Sequence, residues 1–441
     1  MPAAEAKRPW RRALLWLLLL GPFFFASYGL ATHLAAQRVD VPSVVFDWER
    51  HLPFWPWTIV PYWSIDLLYG VSLFLCTRRH ELDRHALRLL TAQVVAVTCF
   101  ILWPLRFSFE RPDTQGAFGW MFDVLAGFDK PFNQAPSLHI ALLVILWVKF
   151  SDHLRGAWRW LLHGWFAMIG MSVLTTWQHH FLDVPTGALL GWLCVWLWPD
   201  MPFASPLRRG MEPMHPRRIR LALVYAVGGA LFATAAVVLR GTAWWLLWVT
   251  VALWLVALAY AWTGAGAFQK DGDARMRPAV RWLMAPYQWA AWVNSRLWTR
   301  RHPQPVHIGA GVWLGRLPTQ RDRHRFAAVV DVSAELPLPH PGAHDTAVPM
   351  LDLVPPSAMQ LRQAASTIEA ARTHGEVLVC CALGYSRSAC AVAAWLLQSG
   401  RATDWPSALL QVQAAKPTVV LGDAHRAIGL PDASKTVPHV A

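Results

Sequence analysis

Residues 376–399 read EVLVCCALGYSRSACAVAAWLLQS, and the order of residue types in this stretch decides the fold of the C-terminal part. Val377–Cys380 is a short apolar run that reads as a buried strand. A loop follows, Cys381-Ala-Leu-Gly-Tyr-Ser-Arg387-Ser388, and then an alanine-rich helix. Cysteine and arginine flanking five residues between a strand and a helix carry a chemical meaning. Such a loop can turn its backbone N–H groups toward one anion, at a helix N-terminus that favours negative charge. Arg387 can grip two phosphate oxygens in a bidentate fork. The same positive field favours thiolate over thiol at Cys381, making it a nucleophile for phosphoryl transfer. Gly384 permits a turn that a side chain would block, and the Ser388 hydroxyl can stabilise the departing thiolate.

This loop resembles that of the cysteine-dependent protein tyrosine phosphatases, specifically the dual-specificity group, and the resemblance covers most of 303–441. HIGAGVWLGRLPTQRDRHRF followed by AAVVDVSAELP looks like the group's opening strands and first helix. The resemblance implies an α/β domain, a central sheet flanked by helices. It implies Cys381 as nucleophile, Arg387 as phosphate clamp and Ser388 as thiolate-release hydroxyl. It also implies an aspartate general acid about thirty residues upstream. VPMLDLVPPS offers Asp352 there and is most similar to the branch containing the mitochondrial lipid phosphatase of phosphatidylglycerophosphate; Asp345 is the nearby alternative carboxylate. One departure stands out: the group's histidine before the nucleophile is Cys380 here. Cys380 and Cys390 are read as small apolar packing, with a resolving-thiol role as the alternative.

Outward from this domain the composition changes. The chain has 441 residues, 55% hydrophobic and 15% charged, with 28 Trp and a net charge of +13. Charged residues at that level are too few to cover a soluble surface, for which about 25% is ordinary. Residues 303–441 carry 11 Lys/Arg against 10 Asp/Glu, whereas residues 1–302 carry 29 against 17. The expected division is therefore a polytopic membrane domain over 1–263, a basic amphipathic linker over 264–302, and a phosphatase-like domain over 303–441. Apolar runs near 13–34, 61–77, 89–106, 136–150, 160–177, 184–199, 221–239 and 243–263 predict an all-α bundle of about eight spans. The first run follows Lys7, Arg8, Arg11 and Arg12 and reads as an uncleaved span rather than a signal peptide. With the N-terminus inside, 23 of the 29 cationic residues of 1–302 fall on the inner side. The positive-inside rule then places both the N-terminus and the phosphatase domain in the cytoplasm. An inner plasma membrane location is expected. Residues 276–300, rich in Trp, Leu and Arg, suit an interfacial helix or re-entrant hairpin, or equally a linker helix packed on the soluble domain. The six cysteines show no zinc or disulfide spacing, so no metal or cofactor is expected. The charge reads as an orientation signal, which excludes nucleic acid as a partner.

Polar residues at span ends are costly and mark function. Three clusters fall at the outer face of this topology: Pro104-Leu-Arg106-Phe-Ser-Phe-Glu-Arg111-Pro112, Ala135-Pro-Ser137-Leu-His139, and Ser172 to Asp183 with His179 and His180. Asp183 can fix the tautomer of His179 as a nucleophile. His139 can protonate a leaving oxygen, and Arg106 and Arg111 can neutralise a phosphate. The set resembles the type 2 phosphatidic acid phosphatase superfamily, leaning toward its inositol phosphorylceramide synthase-like branch, with a six-helix core. Pro136-Ser137-Leu138-His139 stands for that family's second motif; Ser172, His179 and Asp183 match its third. The third-motif arginine is Val173 here and the first-motif lysine has no match, which favours the transferase branch. His180 is the rival nucleophile.

Two sites are thus expected: a cytoplasmic phosphomonoesterase at Cys381, acting on a lipid phosphate, inositol phosphate or phosphoprotein, and an outer lipid phosphatase or phosphotransferase at His179. The alternatives are an inactive membrane anchor or lipid sensor carrying a protein phosphatase, and a phosphate-binding module in place of the cysteine enzyme.

Overall fold

The computed structural model describes residues 8–203, 205–210, 214–422 and 425, and divides between Ser205 and Pro206. Lys7 lies outside the described residues. The first unit contains helices α1 (Trp10–Ala36), α2 (Ile59–Leu75), α3 (Arg79–Leu102), α4 (Gly116–Phe128), α5 (Leu138–His153), α6 (Ala157–Thr175) and α7 (Asp183–Leu197). All but α4 coincide with the expected apolar runs. The third differs in extent: α3 begins at Arg79 rather than near 89 and ends before Arg106. Glu81 explains the early start. Its carboxylate accepts from the Thr77 N–H at 2.9 Å and from the Arg78 N–H at 3.4 Å, satisfying amides that a helix start leaves open.

In this unit two of the cations read as orientation signals, Arg88 and Lys149, are buried fixtures. Arg88 donates to the Trp198 carbonyl at 2.8 Å and to Asp200 at 2.9 Å. Lys149 Nζ meets Glu81 Oε1 at 2.9 Å. At the opposite ends of α5 and α7, close helix packing sets the geometry. A Cβ on Gly187 would lie 2.4 Å from the Ser137 carbonyl oxygen, and one on Gly191 would lie 2.7 Å from that of Ala141. The Gly187-x-x-x-Gly191 spacing therefore lets α7 sit directly on α5.

The second unit opens with a helical hairpin, α8 (Pro216–Leu239) and α9 (Leu246–Leu258), followed by α10 (Pro278–Leu283) and α11 (Ala285–Trp298). Then come β1 (Val306–Gly309), β2 (Val312–Arg316), α12 (Gln320–Arg323), β3 (Ala328–Ser333), β4 (Thr346–Met350), α13 (Ala358–Ala371), β5 (Val377–Cys381), α14 (Arg387–Gln398) and α15 (Trp405–Ala415). The sheet order is β1-β2-β5-β3-β4; β5 runs parallel to β2 and β3, β3 is parallel to β4, and β1 pairs antiparallel with β2. This is the expected α/β architecture, a central sheet flanked by helices. Among the described residues, the helices long and apolar enough to cross a membrane are α1, the 56–75 stretch with α2, α3, α8, and the 241–268 stretch with α9.

A central parallel strand needs both faces covered. One face of β5 (Val377, Val379, Cys381) packs against α13 and α14. The other face (Leu378, Cys380) packs in a second layer with Ala274, Leu317, Phe326 and Leu336, with Ala291 of α11 against it. Residues 264–302 thus supply part of the domain's core rather than a free linker. Lys270 secures the arrangement: its buried Nζ donates to Asp331 Oδ2 at 2.7 Å, the Ser333 carbonyl at 2.6 Å and the Leu336 carbonyl at 2.5 Å. The structural break accordingly falls at Ser205/Pro206, ahead of the compositional one at His302/Pro303. Of the two expectations for 276–300, α11 adopts the packed helix. Ser295 Oγ donates to the Ala382 carbonyl, and Arg296 donates to the Leu317 carbonyl at 3.0 Å. Its Trp289, Trp292 and Trp298 remain exposed.

Candidate active site

The loop after β5 folds around the Cys381 sulfur. The Gly384 N–H donates to Sγ at 3.2 Å, and Ser388 Oγ lies 3.2 Å from it. Gly384 has φ +76°, and a Cβ there would strike the Gly315 carbonyl carbon at 2.4 Å. Glycine is therefore required twice, for its backbone conformation and for contact with β2. Helix α14 begins at Arg387, so its amide end faces the thiol. Cys381, Arg387 and Ser388 are all buried.

Arg387 is held from below. Glu335 takes it fork-on-fork, Oε2 to Nη1 and Oε1 to Nη2, both at 2.7 Å, while Nη1 also donates to the Met350 carbonyl at 2.9 Å. Asp352 Oδ1 lies 3.0 Å from Nη2. Arg387 Nε is buried without a hydrogen-bond partner among the described residues, which suits it to an oxyanion. The two carboxyls differ. Burial raises the Asp352 carboxyl above its usual range, more than Arg387 lowers it, with the Glu335 charge adding to the rise. Burial acts on Glu335 too, but the attraction and hydrogen bonds of Arg387 outweigh it and hold Glu335 below the usual range. Asp352 is followed by Leu353 with φ +58°, a strained backbone of the kind found where a side chain is being aimed. The Tyr260 hydroxyl donates to the Asp352 carbonyl at 3.0 Å.

Asp345 is a structural pin. It accepts from Arg323 at 2.7 Å and from the Val329 and Gly342 N–H groups at 2.8 Å. Cys380 points to the other face of the sheet, where burial first and Asp331 second push its thiol well above the usual range. Burial likewise pushes Cys390 up to about 12. Both stay protonated, in keeping with apolar packing. Sequence reasoning missed Glu335; its only trace is an acidic residue closing a strand, 52 positions before Arg387.

The first unit brings the second and third polar clusters together. His179 Nδ1 lies 3.2 Å from Asp183 Oδ2, and His179 Nε2 lies 3.2 Å from Ser137 Oγ. The Ser137 N–H donates to the Asp183 carbonyl at 3.2 Å. His180 forms a second dyad: Nδ1 lies 3.0 Å from Glu49 Oε2, and Nε2 accepts from the Ser108 N–H at 3.1 Å. A backbone donor thus fixes the lone pair of His180. His179 faces a hydroxyl that can rotate away. Glu49, also missed in the sequence, is buried; hydrogen bonds from His180 and from the Phe46 and Phe181 N–H groups overcome that burial and keep its carboxyl below the usual range. His139 stacks on Tyr62, centroids 4.1 Å apart, with Nε2 buried and unpartnered among the described residues. Arg106 is exposed, with its N–H on the Pro42 carbonyl, and the Arg111 guanidinium sits over the Phe122 ring at 4.5 Å. Arg111 Nε is buried without a hydrogen-bond partner among the described residues. Among the described residues there is no group of three or more His, Cys, Asp or Glu that could hold a metal ion.

With this geometry in place, residues 312–427 match the family described as dual specificity phosphatase, catalytic domain. The C-terminal unit therefore carries a dual-specificity phosphatase domain. Among solved structures, Tk-PTP in its active form is similar at 28% identity, covering 28% of this chain and 92% of that one, with a TM-score of 0.26. Human DUSP28 is similar at 24% identity, covering 28% of this chain and 88% of that one, also with a TM-score of 0.26. No curated protein matches the chain.

Proposed function

We propose that the chain is a membrane-embedded phosphomonoesterase acting through a phosphocysteine at Cys381. One observation carries the reading: Cys381 Sγ, held by Gly384 and Ser388, shares a loop with Arg387, which Glu335 and Asp352 grip in turn. The thiolate attacks phosphorus while Arg387 and the loop amides take up the charge of the transferring phosphoryl group. The P–O bond to the leaving alcohol breaks, and Asp352 in its protonated form, which burial favours, gives that oxygen a proton. Water then attacks the phosphocysteine with Asp352 as base, releasing inorganic phosphate, and the Ser388 hydroxyl stabilises the returning thiolate. Full-length protein in detergent should hydrolyse para-nitrophenyl phosphate, and Cys381→Ser should abolish this. Turnover as high in the Cys381→Ser, His179→Ala double variant as in His179→Ala alone sinks the reading, and absence of turnover in the wild type favours a phosphate-binding module.

A second reading rests on the His179–Asp183–Ser137 geometry: the first unit hydrolyses or transfers lipid phosphate through a phosphohistidine at His179. The Lys/Arg pattern supports placing this site on the outer side of the membrane and the cysteine site on the inner side. Lipid-phosphate turnover by Cys381→Ser protein that disappears on adding His179→Ala supports it. Complete loss in Cys381→Ser alone leaves the first unit as an anchor or lipid sensor.

A further inference from the structure

A cleft of about 1120 Å³ runs from the Cys381 loop along the helical hairpin. All its walls belong to the second unit. At one end stand Cys381, Arg387 and Asp352; at the other, Phe232 of α8 with Val249 and Leu253 of α9. Arg217 and Arg220 lie on the same face of α8, nearer its start. From Arg217 to Phe232 the helix advances about 22 Å at ~1.5 Å per residue. That exceeds the depth of one leaflet, about 15 Å for a core of ~30 Å. Helix α11 forms the opposite wall and presents Ala290, Ala291 and Asn294. Its exposed tryptophans suit the membrane–water boundary. The lining is thus graded along its length: cationic and hydrogen-bonding at the thiol, apolar at the far end, where Phe232, Val249 and Leu253 stand.

Resting on the phosphocysteine reading above, we infer that the α8–α9 hairpin is a wall of the catalytic site, and that the site takes a lipid phosphomonoester with its acyl chain lodged between α8, α9 and α11. Charge complementarity selects the head group: Arg387 faces the phosphate, while Arg217 and Arg220 stand where the polar backbone of such a lipid passes. A phosphopeptide fits poorly at the far end, because its backbone amides would meet Phe232, Val249 and Leu253, which offer nothing to bond. The substrate reaches the thiol sideways along the hairpin, without leaving the bilayer.

The test uses full-length His179→Ala protein in mixed micelles, so that only the cysteine site is read. Long-chain phosphatidic acid, glycerol 3-phosphate and a phosphotyrosine peptide are compared, each relative to para-nitrophenyl phosphate. The lipid should exceed glycerol 3-phosphate in kcat/KM by about a hundredfold, as burial of a few methylenes requires. Val224→Trp and Leu253→Trp, which fill the cleft, should cut the lipid-to-nitrophenyl ratio about tenfold, and so should Ala290→Leu from the other wall. Leu223→Trp, on the exposed outer face of α8, should leave that ratio as it is. Equal use of lipid and glycerol 3-phosphate, preference for the peptide, or a ratio unmoved by all three cleft variants overturns the inference. If lipid turnover in this background survives Cys381→Ser, the phosphocysteine reading itself fails, which is a separate result.

Discussion

The two histidine dyads of the first unit and the cysteine loop of the second handle charge in opposite ways. Around Cys381, carboxylates sit behind an arginine and orient it toward the loop. Around His179 and His180, carboxylates sit directly on the imidazoles, while of the two candidate arginines Arg106 is exposed and Arg111 lies over the Phe122 ring. The cysteine site holds its phosphate clamp ready. At the histidine site the imidazole is held by a carboxylate, whereas Arg106 and Arg111 are gripped by none among the described residues. Phosphoryl transfer depends mainly on charge stabilisation and placement, so the cysteine site should be the faster catalyst on simple esters.

The largest effect that could break this contrast is loss of the thiol. Cys381→Ser should lower para-nitrophenyl phosphate turnover by about 10⁴-fold or more, as removal of a nucleophile does. If substantial turnover remains, the histidine site is also fast and the contrast is wrong. Next is the acid. Asp352→Asn should lower kcat by about 10²-fold and remove the alkaline fall of the pH profile. The sign follows from the raised carboxyl: wild-type turnover declines as pH rises through the Asp352 pKa, because the proton donor is lost, and the Asn variant has no such group to lose. An unchanged alkaline limb would assign it to another residue. Glu335 should matter less, about tenfold for Glu335→Gln, concentrated in kcat because it positions Arg387 for the transition state. A change confined to KM would show that Arg387 keeps its place without it. In the first unit, His179→Ala and His180→Ala should separate within a Cys381→Ser background. The former should abolish lipid-phosphate turnover, whereas the latter should mainly lower thermal stability, since it leaves buried Glu49 without its partner. Equal loss of activity in both would make the dyads a joint site.

The comparison also explains what could be read from the chain. Cys381, Gly384, Arg387 and Ser388 lie within eight positions of one another, so local order alone expressed their geometry. Asp352 followed from its distance to the nucleophile. Glu335 and Glu49 were illegible because their partners stand 52 and 131 positions away; a lone glutamate beside a hydrophobic run looks like any surface residue until the fold closes over it. The inner-side arginine count mixed two populations, free cations and buried fixtures such as Arg88, and composition cannot separate them. Helix α4 was missed because three of its thirteen residues are glycine, a poor helix signal. The close approach of α7 to α5 was present as Gly187-x-x-x-Gly191, a spacing that hydropathy counting passes over.

Lys270 has a consequence for how this enzyme comes into being. Its ammonium leaves water only when β3 and the turn after it supply Asp331, Ser333 and Leu336, residues synthesised later than the hairpin. Until then the connector has reason to stay hydrated and unset. Setting the connector and completing the sheet are therefore one event, and the gene cannot be cut at the change in composition without removing a keystone. Recombination that moved this phosphatase module as a working part would have had to carry residues 264–302 with it.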